Sequence, residues 1–193
     1  MAQTKTESEI KPDSAAEAKP AARRRITKRK AVEEHARSYF DAFARRDLDA
    51  MVEHWRDDAV IDLVPIGVLR GMAEYRGFFK QLFAAFPGLE VTVARVIAGE
   101  RQAAVEWRMS GEFTGSEFQG IEPTGKHVEL RALDLLEIED GQIVSNTAYY
   151  DGMSFARQVG MMPSLDSGAE RAVKGAFNAV TKLRKAVADR TGS

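Results

Sequence analysis

The spacing of the apolar residues changes along the chain, and this change restricts the fold more than any other feature of the sequence. Up to about Phe86 most apolar residues recur every three or four positions, as on one face of an α-helix. From Leu89 to Asp151 they alternate with polar residues, as in strands with one buried face. Helices followed by a run of strands predict an α+β domain, in which a curved antiparallel sheet packs on three N-terminal helices.

Three helices and one strand are predicted in the first half of the chain. The first helix covers residues 26–46, the second follows the capping residue Asp47, and the third begins at Gly71 and stops before Pro87. Between the second and third helices, the segment AVIDLV predicts a strand that ends at Pro65.

Four further strands are predicted in the second half, separated by turn signals. They lie in the segments LEVTVARVIAG, RQAAVEWRMSGEF, KHVELRALDLLEIEDG and QIVSNTAYYD. Asp140-Gly141 is the strongest hairpin signal, because an Asp-Gly pair readily adopts the backbone of a tight β-turn. A curved sheet with helices on its concave side leaves a cavity at its mouth, lined by alternate strand residues.

The two ends of the chain differ in composition from this predicted domain, which covers residues 26–163. Residues 1–25 hold few apolar side chains, too few to offset the entropy cost of ordering, and predict a disordered polar and basic tail. Residues 164–193 predict an extension with one amphipathic helix. Its apolar face is expected to pack on the domain or on a second subunit, and its basic face leaves peripheral membrane contact as an alternative.

Charge and composition exclude several classes of protein. The net charge is −1 and cysteine is absent, so we expect neither nucleic-acid binding by the whole molecule nor a thiolate nucleophile, although residues 23–30 hold six basic side chains. The three histidines, His35, His54 and His127, lack metal-ligand spacing, and no metal is expected. No run of eighteen apolar residues and no secretory leader occurs, so we expect a cytoplasmic protein without a transmembrane segment.

Three stretches carry a resemblance to a known family. They are YFDAFARRDLDAMVEHWRDDAVID, RGMAEYRGFFKQLFAAFPGLEV, and the stretch from SGEF to YYD with its GIEPTG loop and EDGQIV hairpin. Over about residues 36–163 the chain resembles the SnoaL-like polyketide and ester cyclases of the nuclear transport factor 2-like superfamily. The resemblance implies a cone-shaped, cystatin-like roll, a homodimer paired through the outer sheet face, and an acid/base aspartate that needs no cofactor.

Two aspartates are candidates for that acid/base role. Asp151 stands where the resemblance places the family's aspartate after the last strand, although an aspartate there equally predicts the N-cap of a following helix. Asp134 lies among leucines in RALDLLEI, where the family also carries an acid. A carboxylate in a buried strand needs either a shifted pKa or an ion-pair partner, and Arg131 and Arg108 are available for the latter.

Tyr39 and Asp62 are suggested by the ketosteroid isomerases of the same superfamily. Tyr39 stands at the place of their oxyanion-hole tyrosine, and core packing is its alternative role. Their base would fall at Leu63, one residue after Asp62. Because strand side chains alternate, we expect Asp62 to point to the wrong face unless a bulge intervenes.

The remaining substrate-binding candidates are mostly aromatic residues of the predicted sheet: Trp107, Phe113, Phe118, Asn146, Tyr149 and Tyr150. Aromatic residues in strands also form cores, so packing is the alternative for each. The pair Glu112-Phe113 stands where many relatives have threonine and histidine, which removes a proton relay.

The sequence therefore predicts a cofactor-independent cyclase or isomerase. Carboxylate acid/base chemistry would act on a small apolar carbonyl compound of polyketide or steroid type. The alternative is a non-catalytic ligand-binding or assembly module on the same fold, which the Glu112-Phe113 pair and the two terminal extensions favour.

Overall fold

A computed structural model describes residues 14–191 of the chain, with side chains described for residues 23–189. This part contains five helices and six strands. The helices are α1 (Ser14–Ala44), α2 (Leu48–Glu53), α3 (Gly71–Ala85), α4 (Gly152–Val159) and α5 (Gly168–Thr191). The strands are β1 (Trp55–Leu63), β2 (Gly67–Arg70), β3 (Glu90–Ala98), β4 (Gln102–Glu112), β5 (His127–Glu139) and β6 (Gln142–Tyr150).

The strands form one curved six-stranded sheet in the order β2-β1-β6-β5-β4-β3. The predicted α+β class and helix-backed sheet are confirmed. One pair differs from the expected antiparallel pattern, since β1 runs parallel to β6. This follows from the order of the chain: β1 precedes α3 and the meander β3–β6, and the last strand of that meander returns beside it. The short strand β2 was not predicted, because four mostly exposed residues give no periodic signal.

The helices cover one face of the sheet and bury its inward side chains. Helix α1 packs against β3 and β4, α3 against β1 and β2, and α4 against β5. Strand β5 shows the resulting pattern most clearly, because every second residue from Val128 to Ile138 is buried and the residues between them are exposed. The alternation predicted from the sequence is thus the pattern by which the sheet meets its helices.

A β-bulge in β6 changes which residues of that strand face inward. Ile138 of β5 pairs with Ile143, but Glu137 pairs with Ser145, so β6 has one extra residue, Val144, between these two pairs. Ile143 is buried before the bulge, and Asn146 and Ala148 are buried after it. The extra residue therefore turns the even-numbered residues of the second part of β6 toward the helices.

Helix α1 begins at Ser14, twelve residues before the predicted start at Ile26. Residues 14–25, predicted as part of a disordered tail, are helical, and most of them are alanine, glutamate, lysine or arginine, which are strong helix formers. Residues 1–13 of that predicted tail lie outside the described residues. At its other end, the second helix stops at Glu53, and Trp55 begins β1.

Helix α5 follows the domain as predicted, but its apolar side chains do not pack on the domain. Four of these side chains are exposed, and Phe177 is the most exposed of them at 71%; the four are Val173, Phe177, Val180 and Leu183. The N-terminal end of α5 is attached to the domain, since Arg157 of α4 lies 3.5 Å from Glu170. No helix in the described part of the chain is long and apolar enough to span a membrane.

The loop after β4 docks on the end of α3 through Gly115. The backbone N–H groups of Gly115 and Ser116 donate to the carbonyl oxygens of Ala85 and Ala84, at 3.0 and 3.1 Å. These bonds satisfy carbonyl groups that a helix end leaves without partners. A Cβ atom at position 115 would lie 1.8 Å from the Ala84 oxygen, so this approach requires glycine.

We predict that Gly115→Ala lowers the free energy of unfolding by about 1–3 kcal/mol, as overpacking does, because backbone must move to admit the methyl group. Urea denaturation measures this change. The matched control is Gly77→Ala, an exposed position inside α3 where a Cβ meets nothing within 4 Å. It should raise stability by about 0.5–1 kcal/mol, the cost of glycine in a helix. Equal effects of the two substitutions would contradict the described docking.

Candidate active site

A cavity lies between the helices and the inward face of the sheet. Residues of α1, α3, β1, β4, β5 and β6 line it, together with Phe118 and Phe155, and it holds about 770 Å³ of space including its open mouth. Its lining is largely apolar. The lining side chains that carry a polar atom able to donate or accept a hydrogen bond are Tyr39, Tyr75, Trp107, Asp134, Asn146 and Tyr150.

Asp134 lies on β5 with its side chain directed to the cavity and only 4% exposed. Its two carboxylate oxygens accept hydrogen bonds from the indole N–H of Trp107, at 2.8 Å, and from Asn146 Nδ2, at 2.6 Å. The expected arginine partners lie elsewhere: Arg131 pairs with Glu106 and Arg108 with Glu129. Within the described residues, Asp134 is therefore a buried carboxylate held by two neutral donors.

Burial raises the pKa of Asp134 to about 6, because an ionised carboxylate loses hydration in an apolar cavity. The hydrogen bonds from Trp107 and Asn146 lower the pKa and keep it from rising further. Asp134 thus changes protonation state close to neutral pH, where a group that both takes and returns a proton is most effective.

Tyr39 and Tyr75 are neighbours in the cavity wall, and their hydroxyl oxygens lie 3.1 Å apart. Burial raises the pKa of both phenols, so both stay protonated at neutral pH, and the charge of Asp134 raises them further. The bond between the two hydroxyl groups uses one of their two protons, which leaves the other proton able to serve a bound molecule.

Two polar side chains at this end of the cavity were missed as functional candidates. Tyr75 is predicted only as part of the apolar stripe of its helix, and a hydroxyl among phenylalanines is the signal that could have singled it out. The ring of Trp55 packs edge-on against Tyr39 and is tilted against Tyr75, with centroid distances of 5.5 and 5.2 Å. Its buried indole nitrogen has no well-formed hydrogen bond within the described part of the chain.

Asp151 lies outside the cavity. It is exposed and is the N-cap of α4, where its carboxylate accepts a hydrogen bond from the Ser154 backbone N–H at 2.9 Å. The structure thus shows Asp151 in its predicted alternative role, the helix cap. Of the two candidate aspartates, only Asp134 lines the cavity.

Five of the other candidates separate by the face on which they lie. Trp107 and Phe118 line the cavity. Asp62 lies between two cavity residues on β1 and points to the outer face, as alternation requires. Tyr149 is 46% exposed on the same outer face. Phe113 is fully buried and stacks on Phe86, with ring centroids 5.1 Å apart, so it belongs to the core and not to the cavity.

No group of three or more His, Asp or Glu side chains that could hold a metal ion occurs in the part of the chain that the structure describes. The polar groups of the cavity are one carboxylate, one amide, an indole and three phenols. This set can move a proton at one oxygen and donate hydrogen bonds to another.

We predict that replacing Asp134 changes how stability depends on pH. A pKa raised from 3.8 to about 6 means that the folded protein binds the proton more tightly than the unfolded chain, so this carboxyl's contribution to stability falls as pH rises between these values. The free energy of unfolding of Asp134→Asn minus that of the wild type should therefore increase by up to about 3 kcal/mol between pH 4 and pH 7. Chemical denaturation across this pH range measures the difference.

Asp58→Asn is the control with the opposite sign. A hydrogen bond from Arg56 lowers the pKa of the exposed Asp58, so the corresponding difference should decrease as pH rises. A pH-independent difference for Asp134→Asn would show that the carboxyl is not buried as described.

Comparison with known proteins identifies the family. The family model described as SnoaL-like polyketide cyclase matches residues 33–159, well over half of the chain. No curated protein sequence matches. Similar solved structures include AclR of Streptomyces galilaeus, named as a candidate hydroxylase, with 20% identity, a TM-score of 0.65, and coverage of 81% of this chain and 98% of that one.

Two further structures show the same fold. A candidate SnoaL-like polyketide cyclase from Jannaschia sp. CCS1 has 21% identity and a TM-score of 0.60, covering 68% of this chain and 96% of that one. IdmH of Streptomyces antibioticus, a candidate polyketide cyclase, has 26% identity and a TM-score of 0.57, covering 66% and 96%. With its α+β cone and the family match over residues 33–159, the chain belongs to the SnoaL-like polyketide cyclase family.

Proposed function

We propose that this protein is a cofactor-independent cyclase or isomerase that uses Asp134 as general acid and base on a small, largely apolar carbonyl compound. The observation that carries the proposal is the state of Asp134: a buried carboxylate on the wall of an apolar cavity, without a cation, with its pKa raised to about 6. Membership of the SnoaL-like family supports a polyketide-like or steroid-like substrate.

The first step is removal of a proton by the ionised Asp134. A carboxylate oxygen takes the proton from the carbon next to a carbonyl group, and the electron pair of the C–H bond moves onto the carbonyl oxygen. The apolar lining favours this step because a poorly hydrated carboxylate is a stronger base than one in water.

The enolate oxygen formed in this step needs hydrogen-bond donors. The free proton of the Tyr39–Tyr75 pair supplies one, and the raised pKa values of both phenols keep it in place. A donor that is already positioned before the charge develops lowers the barrier without reorganisation.

The second step returns the proton. In a cyclase, the enolate carbon bonds to a second carbonyl carbon of the same molecule, and the new alkoxide takes the proton from Asp134. In an isomerase, another carbon of the enolate takes it. Substrate and product are isomers in both cases, so no co-reactant is consumed.

A non-catalytic ligand-binding module is the second candidate. One observation favours it: both carboxylate oxygens of Asp134 are already hydrogen-bonded, as in a carboxylate with a structural role. This candidate predicts binding of apolar carbonyl compounds without turnover.

We predict that Asp134→Asn lowers kcat by about 10²–10⁴-fold, the usual contribution of a general acid/base, and leaves ligand binding largely intact. Turnover of linear β-polyketone esters and of a 3-keto-Δ5 steroid, followed by absorbance and mass spectrometry, measures this. Asp62→Asn is the matched control, because Asp62 lies on the same sheet but faces outward, and it should retain the wild-type rate. Asp151→Asn should also retain it.

The pH dependence provides an independent readout. Since the base must be ionised, kcat/KM of the wild type should rise with pH through about 6 and then level off. Probes that bind both wild type and Asp134→Asn but are converted by neither would favour the binding module. Full activity of Asp134→Asn would exclude Asp134 as the acid/base.

We further propose that two copies pair through the outer face of the sheet. Ile97, Leu133, Leu135 and Tyr149 form an exposed apolar patch there, and patches of this kind often mark isologous dimer contacts. Leu133→Glu should shift the protein from dimer to monomer in sedimentation velocity, while Phe177→Glu on α5 should not. A wild type that sediments as a monomer would contradict this pairing.

A further inference from the structure

The side-chain amide nitrogen of Asn146 is hydrogen-bonded to Asp134, but its amide oxygen has no partner within the described residues. Its Nδ2 donates to Asp134 Oδ2 at 2.6 Å. Its Oδ1 is buried and accepts no hydrogen bond within the described residues. The residue is only 4% exposed and lines the cavity. A buried acceptor without a donor costs about 1–3 kcal/mol, so its presence in a packed wall requires an explanation.

The orientation of this amide follows from its neighbour. Rotation by 180° would exchange the nitrogen and oxygen and place Oδ1 against the carboxylate of Asp134. Two acceptors would then meet with no proton between them whenever Asp134 is ionised. Above the pKa of Asp134, the carboxylate therefore holds Nδ2 toward itself and turns Oδ1 away.

None of the other described donors around the cavity hydrogen-bonds Asn146 Oδ1. The Trp107 N–H donates to Asp134, and Tyr39 and Tyr75 use one of their two hydroxyl protons between themselves, which leaves the second for a ligand. Tyr150 faces the cavity from the same strand, but it lies four residues along β6, roughly 13 Å from Asn146 at the rise of a strand. No side chain of the lining completes the hydrogen bonding of Asn146.

We propose that Asn146 determines specificity by accepting a hydrogen bond from a hydroxyl group of the ligand. The site would thus take enolic or phenolic carbonyl compounds in preference to analogues that lack the hydroxyl. This inference deepens the proposed function and rests on the same cavity being the ligand site, but it concerns binding and does not require turnover.

The expected preference follows from the cost of leaving the acceptor unpaired. A ligand with a hydroxyl in reach supplies the missing hydrogen bond, whereas an apolar analogue leaves Oδ1 without a partner. Sites that bind a ligand hydroxyl through a buried group reject analogues without it strongly. We expect a preference of about 10- to 100-fold in Kd, in line with one buried hydrogen bond.

The test uses matched probes at pH 7: 1-tetralone, its 5-, 6- and 7-hydroxy derivatives, and their methyl ethers, with Kd measured by calorimetry. For the wild type, at least one hydroxy derivative should bind about 10- to 100-fold more tightly than its methyl ether and than 1-tetralone. Asn146→Leu, which keeps the volume and removes the carbonyl, should bind all three classes about equally. Asn146→Ala serves in the same role if the leucine variant does not fold.

Two further variants assign the effect to the amide. Ser145→Ala, at the neighbouring outward position of β6, should keep the wild-type preference. Asp134→Asn should keep most of it, because the amide oxygen introduced at position 134 can still accept from Asn146 Nδ2 and hold the same orientation. A preference that persists in Asn146→Leu and disappears in Asp134→Asn assigns the hydroxyl to Asp134 and overturns the proposal.

The proposed function and this inference can fail separately. A hydroxyl preference that needs Asn146, found in a protein with no turnover, keeps the inference and removes the catalytic proposal. If turnover needs Asp134 but hydroxy and methoxy probes bind alike, the catalytic proposal stands and the inference about Asn146 is wrong. If no probe binds the wild type, the inference is wrong for this class of carbonyl compound.

Discussion

The hydrogen bonds that Trp107 and Asn146 donate to the buried Asp134 carboxylate are the constraint on which the rest of the site depends. An ionised carboxylate without a cation is tolerated in an apolar cavity only when neutral donors replace part of its lost hydration. Three neighbouring strands, β4, β5 and β6, must therefore hold their register for one side chain. The same arrangement keeps the pKa of this carboxyl at about 6, close to neutral pH, which is a useful property for a group that takes and returns a proton.

Two kinds of titratable group line the cavity, and they come from different parts of the fold. The sheet supplies the buried carboxyl of Asp134, and the helices α1 and α3 supply the paired phenols of Tyr39 and Tyr75. Burial raises the pKa of the phenols far above neutral pH but that of the carboxyl only to about 6, so under the proposed function proton transfer falls to the carboxyl and oxyanion stabilisation to the phenols. The cavity lies between the sheet and these helices, so both kinds of group reach it.

Much of this arrangement could be predicted from the sequence, and the exceptions have physical reasons. The helix-then-strand order, the Asp47 cap and the outward direction of Asp62 follow from periodicity and local hydrogen bonding. Asp134 stood out because a carboxylate among leucines must be buried. The choice between Asp151 as a cap and as a catalyst could not be made, because both roles require an aspartate at that position. Tyr75 was missed because a phenol in an apolar stripe looks like phenylalanine.

The bulge at Val144 determines the chemical character of the cavity from a place outside it. In an unbroken β6, Ile143 would share its face with Ser145, Thr147 and Tyr149, and Asn146 would point to solvent. Loss of the bulge at unchanged chain length would shift the second part of β6 by one residue and replace Asn146 and Ala148 on the cavity wall by Ser145 and Thr147. The position of one bulge, as much as the identity of the lining residues, thus determines which groups of β6 meet a ligand.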